Sequence, residues 1–158
     1  MSDHRSITEA VIRQFERQWK MMQEAIENCP DEEWYKGCTH FMVPARLAFH
    51  AIQAADFHLS VAPARYDWGR FGFDWEECEP TALPSRVDTL AFLDEVRAKI
   101  ASKLDELEDR DLAGPDTPTG YFPTMADHLV YVLRHTQYHL GQLDAELHRR
   151  GLPSPQWQ

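Results

Sequence analysis

The chain has 158 residues, enough for a single domain over residues 1–158 to bury a hydrophobic core without disulfides or a structural metal. The formal net charge is -10 and the 16 Lys and Arg residues form no basic stripe, so a nucleic acid partner is not expected. Three cysteines without C-x-x-C spacing indicate a reducing, cytoplasmic compartment, and no run of about 18 apolar residues indicates a membrane span.

Apolar residues at helical spacing predict two long helices in the first part of the chain. The first covers about residues 7–28, and Ser6 and Glu9 have the spacing of a capping box at its start. The segment DEEWYKG that follows has room for one helical turn. The second helix covers about residues 44–61. The apolar residues of its buried stripe are Val43, Leu47, Ala54, Phe57 and Val61.

Residues 62–84 predict a long irregular loop, because they contain three prolines and two glycines. Aromatic residues within the loop indicate contact with something apolar. They are Tyr66, Trp68, Phe71, Phe73 and Trp75. Two interpretations fit them: they form a lid over an apolar pocket, or they cover the ends of the helices and a dimer seam. The second interpretation is favoured for most of these residues.

Two more helices follow the loop. Ser85 and Asp88 have the spacing of a cap for a third helix over about residues 85–108. After a loop rich in proline and glycine, Thr124 and Asp127 cap a fourth helix that extends almost to the end of the chain. The alternation of apolar and polar residues that marks a strand is absent from the sequence. Four long helices and one long loop predict an all-α fold, a four-helix bundle.

The stretch RHTQYHLGQL places His135 and His139 four residues apart on the fourth predicted helix. At about 100° per residue these side chains lie about 40° apart, and His128 and Gln142 fall within about 20° of His135. His50 is the one ionisable residue in the stripe of the second helix, so a neighbouring helix supplies a further imidazole. Two interpretations are open: ligands of a divalent cation, which accepts imidazole lone pairs, or core histidines hydrogen-bonded to their neighbours.

The residues around the histidines argue against two kinds of metal chemistry. Thr136, Gln137 and Tyr138 stand between the pair, so the Glu of an H-E-x-x-H metallopeptidase is absent. No histidine has a Glu three residues before it, as di-iron carboxylate bundles require. Three neutral imidazoles suit Zn²⁺, Ni²⁺ or Fe²⁺ and leave a coordination position open for water or substrate. His58 lies at the edge of the buried stripe of the second helix, about 80° from His50, and no function is assigned to it.

The segment HLVYVLRHTQYHLGQL, residues 128–143, resembles the last-helix signature of the DinB-like bacterial metalloprotein superfamily, which is distinct from the DNA polymerase of the same name. The resemblance implies a four-helix bundle of up-down-down-up order and a homodimer. It also implies that His50, His135 and His139 are the metal ligands.

The resemblance also bears on residues beside these ligands. His128 and Gln142 are expected to support the ligands or line the pocket without bonding to the metal. Leu140 departs from the arginine that many relatives carry at that position. Tyr131, about 40° from His135 on the same helix, is the candidate polar helper in catalysis, although a tyrosine in such a place more often serves packing.

Members of this family include transferases and isomerases that use low-molecular-weight thiols. The expected function is therefore that of a metal-dependent enzyme, a thiol S-transferase or a hydrolase, acting on a small electrophilic substrate. Its ion, zinc, nickel or iron, would lower the pKa of a bound thiol or of water. Two alternatives stay open: a stress-response protein that binds metal or a small molecule without turnover, and a helical dimerisation module with core histidines.

Overall fold

The computed structural model describes residues 4–60, 63–117 and 119–158. In chain order their helices are α1 (Ser6–Asn28), α2 (Asp31–Trp34), α3 (Pro44–His58), α4 (Arg86–Asp105), α5 (Asp109–Leu112) and α6 (Met125–Arg149). Two 3₁₀ turns, Pro63–Arg65 and Pro80–Ala82, lie in the loop between α3 and α4. The described residues contain no strand, which confirms the all-helical prediction for them. None of the described helices is long and apolar enough to cross a membrane.

The helix boundaries differ from the predicted ones mainly at the carboxyl ends. α3 ends at His58, and Val61, a predicted member of its stripe, lies outside the described residues. α4 ends at Asp105 instead of about residue 108. The loop before α6 contains α5, a single turn that its proline and glycine content did not predict. The segment DEEWYKG does contain one helical turn, α2.

Two of the predicted helix caps are confirmed. The side chain of Ser85 accepts a hydrogen bond from the backbone N–H of Asp88 at the start of α4. The side chain of Thr124 does the same for the N–H of Asp127 at the start of α6. Each cap satisfies a backbone donor that the helix itself leaves without a partner.

The predicted capping box of Ser6 with Glu9 is wrong. Ser6 is already inside α1, and a distant carboxylate caps this helix. Asp109 accepts hydrogen bonds from the backbone N–H groups of Ile7 and Thr8, at 2.8–3.2 Å, and from the hydroxyl groups of Ser6 and Thr8. The start of α5 therefore holds the start of α1.

The core lies between the four long helices. α3 packs against α4 and α6, and α1 packs against the same two helices. Twelve of the 15 residues of α3 are buried, so this helix is covered on nearly every side. Fully buried side chains come from each long helix, among them Trp19, Ile52, Ile100 and Leu143. Burial of an aliphatic side chain such as Ile52, Ile100 or Leu143 stabilises a fold by about 1.5–3 kcal/mol, so the four long helices are held together by their common core.

The loop between α3 and α4 packs onto the helices of its own chain. The ring centroids of Phe71 and Phe73 lie 5.0 and 5.2 Å from that of Phe49. The hydroxyl group of Tyr66 donates to a carboxylate oxygen of Asp56 at 2.8 Å. Since Phe49 and Asp56 are buried residues of α3, these contacts hold the loop close to the helix that carries His50.

Candidate metal centre

Three histidines converge between α3 and α6. His50 lies on α3, and His135 and His139 lie one turn apart on α6. One ring nitrogen from each residue lies within 4.8 Å of the corresponding nitrogens of the other two. The ring centroid of His50 is 5.1 Å from that of His135 and 4.5 Å from that of His139. The structure thus brings together the three residues singled out in the sequence, here named the three-histidine cluster, while their role as ligands stays a prediction.

The local sequence explains this arrangement. Side chains four residues apart on a helix lie on adjacent turns of one face, which places His135 beside His139. His50 follows Leu47 and precedes Ala54 in one stripe of α3, and both of these neighbours are buried. Burial of the stripe carries the imidazole of His50 into the interface with α6.

Burial keeps all three imidazoles neutral. Burial, with smaller contributions from the nearby rings of His139 and His135, lowers the pKa of His50 to about 3. Burial also lowers the pKa of His135 to about 4, with a contribution from His139. The pKa of His139 is lowered by burial, against an opposing hydrogen bond to Gln142. At neutral pH each ring therefore keeps a free lone pair, and three such nitrogens close together fit a divalent cation.

Gln142 orients one ring of the cluster. Its side-chain oxygen Oε1 lies 2.8 Å from Nδ1 of His139, and its Nε2 donates to the hydroxyl group of Tyr138 at 3.3 Å. An amide oxygen only accepts, so Nδ1 of His139 must donate and Nε2 keeps the lone pair. A partner on the far nitrogen is the usual way in which proteins orient a metal-binding histidine. The supporting role of Gln142 beside a metal ligand stays a prediction.

Trp75 covers the cluster from the loop. Its ring stacks on that of His50 with 3.9 Å between centroids and 25° between planes. Phe71 and Phe73, in contrast, pack on Phe49 of the core. Trp75 therefore contacts the cluster, whereas the two phenylalanines pack on the helices, and a lid over a pocket stays a prediction.

His128 makes its hydrogen bonds away from the three-histidine cluster. Its Nδ1 lies 2.8 Å from Oδ1 of Asp116, and its Nε2 lies 3.2 Å from Nδ1 of His58. The ring is completely buried. The sequence predicted its face of α6 correctly but neither of its partners, because Asp116 lies in a loop without periodicity and His58 lies at the edge of its stripe.

Tyr131 contacts the cluster through the face of its ring. The ring stacks on that of His135 with 5.8 Å between centroids, and it also lies 4.9 Å from the rings of His58 and Phe122. These are packing contacts between aromatic rings. A role for the Tyr131 hydroxyl group in catalysis stays a prediction.

The fold and the cluster together define a class: all-helical proteins with a histidine cluster between two long helices. Residues 14–143 match the model of the DinB superfamily, and the chain belongs to that family. The family predicted from the last helix is thus confirmed.

A crystal structure of a DinB-like protein from Bacillus cereus ATCC 10987 is similar to this one. The TM-score is 0.71 at 18% sequence identity, and the match covers 94% of this chain and 95% of that one. At this identity the likeness shows a shared fold. No curated protein matches the chain.

Proposed function

We propose that His50, His135 and His139 bind a divalent metal ion and that the protein is a metal-dependent enzyme acting on a small electrophilic substrate. The reaction we infer is thiol S-transfer or hydrolysis. The observation that carries the proposal is the convergence of three neutral imidazole nitrogens within 4.8 Å. Membership of the DinB superfamily supports it.

The chemistry of the donor set favours zinc, nickel or iron, since imidazole is a preferred ligand of all three. Such an ion, when bound, would supply a Lewis acid that lowers the pKa of a thiol or of water. The protein's own residues would hold and cover this site. Gln142 contacts the ring of His139, while Trp75 and Tyr131 lie against the rings of His50 and His135.

A metal- or small-molecule-binding protein without turnover, active in a stress response, is the second candidate. One observation favours it: among the described residues, the group that converges here consists of histidines alone, without a carboxylate to act as an acid or base. Turnover therefore has to be tested separately from binding.

We also infer the helix order, the domain and the assembly of the protein from its family and from the core between its four long helices. The four long helices would form one bundle of up-down-down-up order, as a single domain over residues 1–158. Two copies would form a homodimer in the cytoplasm. The cosubstrate would be a low-molecular-weight thiol, and neither nucleic acid nor a membrane would be a partner.

Metal analysis of purified variants tests the ligand set. Wild-type protein should bind one equivalent of zinc or nickel by elemental analysis and by isothermal titration calorimetry. His50→Ala, His135→Ala and His139→Ala should each lose that equivalent. His148→Ala is the matched control, because His148 is exposed on the same helix and should leave the metal content unchanged. Full metal content in all three cluster variants would refute the assignment.

Incubation of the loaded protein with glutathione and a small alkyl halide separates the two candidate functions. An enzyme should form thioether product faster than a zinc-loaded control protein that lacks a thiol-transfer site. A loaded protein that does not accelerate the reaction, or the hydrolysis of a small ester, favours metal binding without turnover.

A further inference from the structure

A second pair of histidines lies across the same two helices. His58 is eight residues after His50 on α3, and His128 is seven residues before His135 on α6. Both are therefore about two turns, on the order of 10 Å, from the cluster along their helices. Nδ1 of His58 lies 3.2 Å from Nε2 of His128. The pair occupies a separate position along the interface of α3 with α6.

Asp116 extends this pair to a set of three, here named the Asp116–His128–His58 triad. Its Oδ1 lies 2.8 Å from Nδ1 of His128, and both side chains are buried, with exposed fractions of 5% for Asp116 and 0% for His128. Asp116 and His58 thus contact opposite nitrogens of one ring. Groups on opposite sides of a ring do not converge on one ion, so the triad is a line of hydrogen bonds and not a second metal centre.

The loop around Asp116 fixes the direction of these hydrogen bonds. Its other oxygen, Oδ2, accepts from the hydroxyl group of Thr119 and from the backbone N–H groups of Tyr121 and Phe122. Burial raises the pKa of Asp116, but the hydrogen bonds from Thr119 and His128 hold it below its usual value. An ionised carboxylate only accepts, so Nδ1 of His128 must donate.

The same reasoning determines which nitrogen carries the proton on His128 and on His58. In a neutral imidazole one nitrogen donates and the other accepts. Nε2 of His128 therefore accepts, Nδ1 of His58 donates to it, and Nε2 of His58 keeps its lone pair. Within the described part of the chain, the hydrogen bonds of His58 end at Nδ1. The ring of His58 is only half-buried, so the triad holds one accessible ring in a fixed tautomer.

The surrounding groups keep both rings neutral. Burial lowers the pKa of His58 to about 4, with smaller contributions from His128 and His135 and an opposing one from Asp116. Burial also lowers the pKa of His128, where Asp116 opposes it and the ammonium group of Lys103 adds to it. At neutral pH, Nε2 of His58 is consequently unprotonated and able to accept.

We propose that the Asp116–His128–His58 triad is a proton relay whose last atom, Nε2 of His58, takes the proton of a substrate thiol or water that lies between the three-histidine cluster and His58. The proposal rests on the metal-dependent function proposed above. Tyr131 connects the two places, because its ring contacts both His58 and His135. The relay resembles in logic a base that is oriented by a buried carboxylate.

The proposed step balances without a further reactant. The S–H or O–H bond of the substrate breaks, its electron pair stays on sulfur or oxygen, and an N–H bond forms at Nε2 of His58. The ring becomes a cation that keeps its hydrogen bond to His128, and the charge of Asp116 compensates it. The sulfur or oxygen then forms a bond to the electrophile, whose leaving group departs with its electron pair. The proton passes from His58 to a basic leaving group or to solvent, which returns the triad to its neutral state.

Asp116→Asn tests the relay because it reverses the direction of every hydrogen bond in it. The amide oxygen can still accept from the loop, while the amide nitrogen now donates to Nδ1 of His128. Nε2 of His128 must then donate, Nδ1 of His58 must accept, and Nε2 of His58 becomes protonated. The substitution moves one proton on His58 and leaves both rings in place.

Nitrogen NMR of the imidazoles in the zinc-loaded, full-length protein measures these tautomers. Wild type should show protonated Nδ1 and unprotonated Nε2 on both His58 and His128. Asp116→Asn should show the reverse, and Asp94→Asn, which changes an exposed carboxylate on α4, should match wild type. A wild-type spectrum with protonated Nε2 on His58 overturns the proposal even if the variant does not fold.

Diethyl pyrocarbonate, which reacts with unprotonated imidazole nitrogen, supplies a second readout by peptide mass spectrometry. His58 should be modified in wild type and in Asp94→Asn, with loss of that modification in Asp116→Asn. Equal modification of His58 in all three proteins overturns the relay. Protection of His135 and His139 by zinc is read from a separate tryptic peptide, which begins after Arg134, so failure of the metal site is distinguished from failure of the relay.

Discussion

Acid should destabilise this protein through its neutral histidines, above the pH range in which carboxylates take up protons. Burial holds the pKa of His50 at about 3 in the folded protein, whereas an unfolded histidine has a pKa of about 6.5. As the pH falls below about 6.5, the unfolded chain binds a proton at this position and the folded chain does not. Stability is therefore fully present above the unfolded pKa and is lost towards the folded pKa.

The size of the effect follows from the pH chosen. At pH 5 the solution is about 1.5 units below the unfolded pKa, and each unit is worth about 1.4 kcal/mol. The free energy of unfolding at pH 5 should therefore be about 2 kcal/mol lower than at pH 8 because of His50. Solvent at the partly open ring makes this an upper figure. His58 and His135, each with a pKa of about 4, act in the same direction. The pKa of Glu146 is lowered to about 2, mainly by Arg149. Its contribution to the free energy of unfolding is therefore lost only below about pH 4.5.

Urea denaturation of chelator-treated protein at pH 8 and pH 5 measures this cost. In wild type the free energy of unfolding should fall between the two conditions, and in His50→Gln the fall should be smaller by up to about 2 kcal/mol. Comparing two pH values within each protein removes the effect of the substitution on packing. His148→Gln, at an exposed position, should behave as wild type. The reasoning is refuted if His50→Gln keeps the full pH dependence of wild type.

Three further outcomes follow from contacts in the structure. Gln142→Ala should weaken zinc binding about 10- to 100-fold in a calorimetric titration, because the ring of His139 loses the partner that orients it. Trp75→Phe should abolish most of the change in tryptophan emission on zinc addition, since Trp75 is the tryptophan stacked on His50; an unchanged response would contradict this. Asp109→Ala should lower the free energy of unfolding by about 1–2 kcal/mol in urea, and an unchanged midpoint would show that α1 needs no cap from Asp109.

The sequence predicted those parts of the structure that depend on neighbours along one helix. The caps at Ser85 and Thr124 are contacts over three residues, and the shared face of His135 and His139 follows from a spacing of four. His50 could be singled out because it interrupts an apolar stripe. In each case the local period of the helix carries the information.

Contacts across the fold were not predictable in the same way. Asp109 caps α1 from more than 100 residues away, and nothing near Ser6 signals that a local capping box is replaced. Asp116 lies in a loop whose proline and glycine content indicates only the absence of a long helix. The one signal for His58 in the sequence was its spacing. His58 lies eight residues after His50, and His128 lies seven residues before His135, so both lie about two turns from the cluster on their helices.

The two histidine sites differ in geometry, and that difference separates the chemistry each can perform. Nitrogens that converge can bind one cation, whereas nitrogens arranged in a line can pass one proton. Because α3 and α6 position both sites, a substitution that disturbs the packing of these helices would affect both together. Asp116→Asn and His139→Ala avoid this ambiguity: the first changes the proton order of the triad and leaves the cluster intact, and the second removes one cluster nitrogen and leaves the triad intact. Independent effects of the two substitutions on tautomers and on zinc binding would show that the sites are physically separate.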